Sequence, residues 1–156
     1  MSWLDKILPS RIRAEKESKG SVPEGLWHKC LNCDTVIYRA EFEKNLNVCP
    51  KCNNHGRISA RTRADIILDT EDRIEIFDNI MPVDMLNFKD KEKYKDKLLS
   101  TQKKTGEKDA MLVFKGNINK IPAIVCIFEY SFFGGSMGSV VGEKFSLAVK
   151  KCIEEK

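Results

Sequence analysis

Apolar positions along the chain change period several times, and each change marks an element. Trp3, Leu4, Ile7 and Leu8 recur at helical spacing and predict a short amphipathic helix over residues 2–8, interrupted at Pro9. Residues 10–25 are charged and small, with Gly20, Pro23 and Gly25, and read as a linker unable to bury apolar area. From Trp27 to about Ala60 the apolar runs are short, and Val36, Ile37 and Tyr38 supply strand material. Ser59 then offers a cap to a helix through Arg61, Ala64, Ile67 and Leu68, after which residues 73–77 alternate as a half-buried strand does. Residues 89–104 lack Pro and Gly and are rich in Lys and Leu; they predict a surface helix stopped at Gly106, with its lysines as a solvated face.

Two longer apolar runs, 110–118 and 121–129, flank Asn119–Lys120 and predict a hairpin whose turn type is open, because the usual Gly is absent. In the second run Ile121, Ala123, Val125 and Ile127 share one face and Ile124, Cys126 and Phe128 the other, the pattern of a strand buried on both faces. It leads into a glycine-rich loop and a helix from about Ser139, in which Val141, Phe145, Ala148, Val149 and Cys152 recur at spacings of three and four. The fold class is therefore α/β, with a small module over 27–60 ahead of a second unit over 61–156, and no internal repeat.

Composition narrows the class. With 42% hydrophobic and 32% charged residues the chain is that of a globular protein, and no apolar run approaches the ~18–20 residues a bilayer span needs. The N-terminus lacks the basic segment and unbroken apolar stretch of an export signal, so the expected compartment is the reducing cytoplasm. Six cysteines then read as metal ligands or buried thiols, not disulfides. Residues 1–63 hold 12 Lys/Arg against 7 Asp/Glu, while 64–156 hold 15 against 16. The positive surplus thus lies in the N-terminal third, compatible with a polyanion such as nucleic acid or with a plain solvated surface.

Cys30-x-x-Cys33 and Cys49-x-x-Cys52, fifteen residues apart, have the two-knuckle spacing of a structural zinc site. Each turn presents two sulfurs to one ion, and four thiolates complete a tetrahedron, so the expected Zn2+ is structural. A redox dithiol pair and an iron–sulfur cluster are the competing chemistries, and nothing else in the chain suggests electron transfer. His28 and His55 flank the knuckles and read as surface residues, whereas Cys126 and Cys152 fall on predicted buried faces as small hydrophobes.

Gly134, Gly135 and Gly138 lie between a strand and a helix, where free backbone N–H groups favour an oxyanion or phosphate. The pattern is neither GxGxxG nor a P-loop, since Lys144 lies too far into the helix, and by chemistry alone it is a ligand cradle or a turn.

Five stretches carry more than a pattern: MSWLDKI, PEGLWHKC, YRAEFEKNLNVCPKC, EKYKDKLLSTQKKTGEKDA and FFGGSMGSVVGEKF. Together they resemble the beta subunit of the bacterial and plastid acetyl-CoA carboxylase carboxyltransferase, along the whole chain. The resemblance implies a zinc ribbon followed by a crotonase-like (ClpP-like) domain of ββα units. It implies transfer of a carboxyl group from carboxybiotin on a carrier protein to acetyl-CoA, giving malonyl-CoA for fatty acid synthesis. The implied partners are an alpha subunit in an alpha2beta2 assembly, biotin carboxyl carrier protein and biotin carboxylase, with ATP binding in the assembled enzyme and messenger RNA as a further ligand of the ribbon. It places Gly134, Gly135, Ser136, Met137 and Gly138 on the acetyl-CoA side of the pocket and assigns no catalytic base. Family members continue into a second glycine-rich loop, so the expectation is an N-terminal part, inactive alone. The alternative from another class is a zinc-ribbon nucleic-acid-binding or regulatory protein, which leaves residues 64–156 unexplained.

Overall fold

The computed structural model describes residues 25–70 and 73–155, so the helix expected at 2–8 and nearly all of the linker lie outside the described residues. The chain divides into two compact units, the first running to Gly56 and the second starting at Arg57.

In the first unit, β1 (Trp27–Lys29) pairs antiparallel with β2 (Val36–Tyr38), and a short helix, α1 (Arg39–Lys44), follows directly. Ile37 and Phe42 are buried beside Cys30 and Cys49. Few apolar groups are available here, and the cysteines make up half of that buried cluster.

The second unit opens with α2 (Ala60–Ile67), where the Ser59 hydroxyl accepts the Thr62 N–H at 3.1 Å as the expected N-cap. A three-stranded antiparallel sheet has the order β3 (Ile74–Ile76), β4 (Met111–Ile118), β5 (Ile121–Phe128). Between β3 and β4 runs α3 (Tyr94–Thr105), closed by Gly106 in the left-handed region at φ 76°. It begins five residues later than the charge pattern predicts. Residues 89–93 instead form a turn closed by a Lys89–Lys93 bridge. The last element is α4 (Ser139–Glu154).

Because side chains alternate along β4, its two faces build two cores. Met111 and Val113 pack with Leu98 of α3 and with Val141 and Ala148 of α4, whereas Leu112 and Phe114 pack with Ala60, Ala64 and Leu68 on the α2 side. β4 is central and buried on both faces. β5, expected to be so, is an edge strand on which Ile127 is the only buried residue, since no described strand pairs along its outer side. The same edge position explains a second departure. Val141 and Ala148 of α4 are buried, but Phe145, Val149 and Cys152 are exposed, because the apolar arc of the helix is wider than the face of the sheet beneath it. Among the described residues no helix is long and apolar enough to cross a membrane.

Candidate functional site

The two cysteine knuckles are built alike. Cys30 N–H donates to Thr35 O at 2.9 Å and Asp34 N–H returns to Cys30 O at 3.0 Å; in the second knuckle Cys49 N–H donates to Asn54 O and Asn53 N–H to Cys49 O, both at 2.9 Å. Each turn needs a left-handed residue just after its second cysteine. The sequence supplies Asp34 at φ 55° and Asn53 at φ 57°, the residue types that tolerate that region best after Gly. The first knuckle is the tip of the β1–β2 hairpin, and the second is closed by a Val48–His55 bridge.

These turns aim four sulfurs at one point. Cys30 Sγ lies 3.6 Å from Cys52 Sγ and Cys33 Sγ 3.7 Å from Cys49 Sγ, with all four within 4.8 Å of one another. A tetrahedron with Zn–S bonds of about 2.3 Å has edges of about 3.8 Å, so the donor set fits one structural zinc ion. The polypeptide does not stabilise four thiolates by itself. The Thr35 hydroxyl, helped by the Thr35 backbone, holds the Cys33 thiol down at about 6, and the Asn32 side chain lowers Cys52, but burial pushes Cys49 up to about 11. A dication supplies the missing compensation. His55 is exposed as expected, while His28 is half-buried and stacked on Phe42 with ring centroids 4.0 Å apart, and neither belongs to the sulfur cluster.

In the second unit the glycine loop turns the chain from β5 into α4. Gly134 and Gly135 take φ values of 72° and 75°, which L side chains adopt only with strain. Gly138 is the N-cap of α4 and brings no side-chain cap, so the N–H groups of the first turn are left available. Met137 and Gly138 line an apolar cavity of ≈430 Å³ together with Met111, Phe128, Val141 and Phe145. Gly135 packs against Phe128, to which a β-carbon would come within 3.7 Å, whereas Gly134 and Ser136 are exposed away from the cavity lining.

Three buried charges among the described residues, Asp109, Glu129 and Lys144, escaped the sequence reading. Glu129, at the end of β5, accepts the Ala60 N–H at 2.8 Å through Oε2, and the Ser131 N–H at 3.0 Å and the Ser131 hydroxyl through Oε1. Burial pushes its pKa up, but these donors together hold it below the usual carboxylate range. With both oxygens engaged, Glu129 is an anchor for the loop and not a poised base. Lys144 on α4 is only 3% exposed and donates from Nζ to Met111 O at 2.7 Å. Burial lowers its pKa against the pull of Asp109, whose own pKa burial raises. A lone acid closing an apolar strand and a lysine inside an apolar stripe carry no periodic signal, and only the partners reveal them.

Set against known families, residues 27–52, from Trp27 to the fourth cysteine, match the model of the acetyl-CoA carboxylase zinc finger domain, so the ribbon of this chain is similar to that domain and consistent with a component of acetyl-CoA carboxylase.

Proposed function

We propose that this chain serves acetyl-CoA carboxylase as the ribbon-bearing part of its carboxyltransferase beta subunit, with residues 57–155 as the start of a crotonase-like domain. The observation that carries the reading is the family match of the ribbon. Support comes from the second unit, where a glycine loop and an uncapped helix N-terminus border an apolar cavity. In the reaction the methyl carbon of acetyl-CoA loses a proton, the resulting enolate attacks the carboxyl carbon of carboxybiotin, and the N–C bond to biotin breaks as the new C–C bond forms, the ureido nitrogen leaving with the electron pair and, in the net reaction, taking up the proton. Negative charge gathers on the thioester oxygen, where preorganised backbone N–H groups act without reorganising. The first-turn N–H groups of α4 are suited to that task, and the apolar cavity to excluding water around it. The cytoplasmic alpha subunit, biotin carrier protein and biotin carboxylase are the partners of this reading.

The test is transfer of labelled carboxyl from carboxybiotin to acetyl-CoA by the chain co-expressed with an alpha subunit. Gly135→Val, which forces a branched residue to φ 75° beside Phe128, should lower kcat/KM by about 10- to 100-fold with zinc content unchanged. Normal kinetics in that variant would reduce the loop to a turn, and failure to co-purify with the alpha subunit would remove the reading.

A second reading concerns the ribbon. Trp27 and Tyr38 are paired across β1 and β2, both exposed and in edge-to-face contact at 5.7 Å, with Lys29 on the same face. Such a platform suits base stacking on single-stranded RNA. Trp27→Ala should weaken binding of an RNA oligonucleotide in a salt-dependent mobility assay, and equal retention of both proteins would dismiss it.

A further inference from the structure

One part of the second unit plays no role in the reading above. Segment 81–88, between β3 and α3, turns its large apolar side chains to solvent: Met85 is 84% exposed, Leu86 85%, and Val83 and Phe88 are also exposed. Scattered exposed apolar residues are ordinary, whereas a contiguous group of four marks a contact surface. The segment is also held in place. The Asp84 carboxylate accepts the Phe88 N–H at 3.0 Å, and Phe88 O accepts the Tyr94 N–H at 2.9 Å, which folds the loop onto the start of α3. Val83, Met85, Leu86, Phe88 and Tyr94 thereby line a concavity of ≈390 Å³. Tyr94 packs in turn on Phe133, with centroids 6.2 Å apart, and Lys97 Nζ lies 5.6 Å over the same ring.

Directly beyond the concavity comes the basic run. Residues 89–104 hold seven lysines against three acidic residues, a surplus of four, equal to the net charge of the whole chain. All seven lysines are exposed. Acidic residues elsewhere in 64–156 offset this patch, so that segment as a whole carries no positive surplus.

We propose that the concavity between Val83 and Tyr94, whose lining residues Phe88 and Tyr94 are interleaved in sequence with Lys89, Lys91, Lys93 and Lys95, is a docking surface for an acidic protein segment that inserts one apolar anchor side chain. A buried anchor in a pocket, surrounded by charge that steers the approach, is the usual division of labour at a protein interface. The shape favours a protein over a lipid surface, because a bilayer presents no knob to fill a hollow. A second copy of this chain would bring the same lysine surplus against its own.

The proposal is independent of the acetyl-CoA reading and is tested on the full zinc-loaded chain. The probe is a fluorescein-labelled helical peptide with Leu and Phe along one face and Glu elsewhere, compared by anisotropy with a twin carrying Lys in place of Glu. The acidic peptide should bind at least about tenfold more tightly than its twin, and more weakly as salt is raised. Leu86→Glu, at an exposed position, should weaken it by about tenfold while zinc content and melting temperature stay those of the parent. The double charge reversal Lys91→Glu, Lys95→Glu, which brings the run to five lysines and five acidic residues, should abolish the preference between the two peptides. No binding of either peptide, equal binding of both, or an unaffected Leu86→Glu variant overturns the proposal. Two other results also overturn it: co-sedimentation with phosphatidylserine vesicles without a peptide preference, which identifies lipid, and a concentration-dependent dimer abolished by Leu86→Glu, which identifies a second copy.

Discussion

Glu129 stands where β5 gives way to the glycine loop, and its carboxylate holds three donors from two separate segments. One donor is the first N–H of α2, where the helix dipole favours negative charge. Replacing the carboxylate by an amide keeps the shape but supplies one acceptor oxygen for three donors. Glu129→Gln should therefore lower the stability of the second unit by about 1–3 kcal/mol at neutral pH, read from urea unfolding followed by circular dichroism. The pH dependence follows from the lowered pKa. A carboxyl depressed in the folded state contributes fully above its unfolded value, near ~4.3, and loses that contribution as pH falls through the folded value. The gap between parent and variant should accordingly close below about pH 4. A gap that stays constant with pH would mean that the charge of Glu129 does not matter. Asp109, whose raised pKa acts in the opposite sense, is common to both proteins and cancels from the difference.

The β4–β5 hairpin shows what an element owes to residues outside it. Asn119 and Lys120 have φ values of 50° and 67°, so the two-residue loop has the positive-φ pair of a type I′ turn, the hand that matches the twist of the flanking strands. Two apolar runs around a polar pair were enough to place the hairpin in the sequence. Its turn type was not legible, because Lys is a poor choice at the second position and the compensation lies far upstream. The Asp69 carboxylate accepts the N–H of Asn119 at 3.2 Å and that of Lys120 at 2.8 Å. Asp69→Ala should cost about 1 kcal/mol, the two N–H groups then turning to water. Lys120→Gly should act in the opposite direction or be neutral, since relief of left-handed strain, about 1–2 kcal/mol, outweighs or offsets the added freedom of the unfolded chain, about 0.5–1 kcal/mol. Melting temperatures of the two variants decide the matter, and a stable Asp69→Ala protein would show that the strands alone set the turn. The edge position of β5 and the outward turn of Phe145 and Val149 were illegible for a related reason. Apolar periodicity says which residues can be buried, and only the neighbouring strand decides which are.

At the scale of the whole molecule the two units rest on different physics. The second has an apolar core on each face of β4. The first buries Ile37 and Phe42 beside its cysteines. Two such side chains contribute about 3–6 kcal/mol together, whereas a zinc tetrathiolate supplies on the order of 10 kcal/mol or more, so the metal carries the larger share of what folds the ribbon. The cysteine spacing made this site the most legible part of the sequence, since it depends on turns of four residues and not on contacts between distant segments. Removing the metal should then act on one unit only. Cys49→Ser, or a strong chelator added to the parent, should abolish bound zinc and the hydrogen-exchange protection of the knuckle N–H groups of Cys30 and Cys49. The circular dichroism due to α2, α3 and α4 should remain, along with their thermal transition. If the whole chain unfolds in one step on chelation, the second unit depends on the ribbon for its stability. If zinc remains bound to Cys49→Ser at full stoichiometry, the four-thiolate assignment fails, and another donor must complete the site.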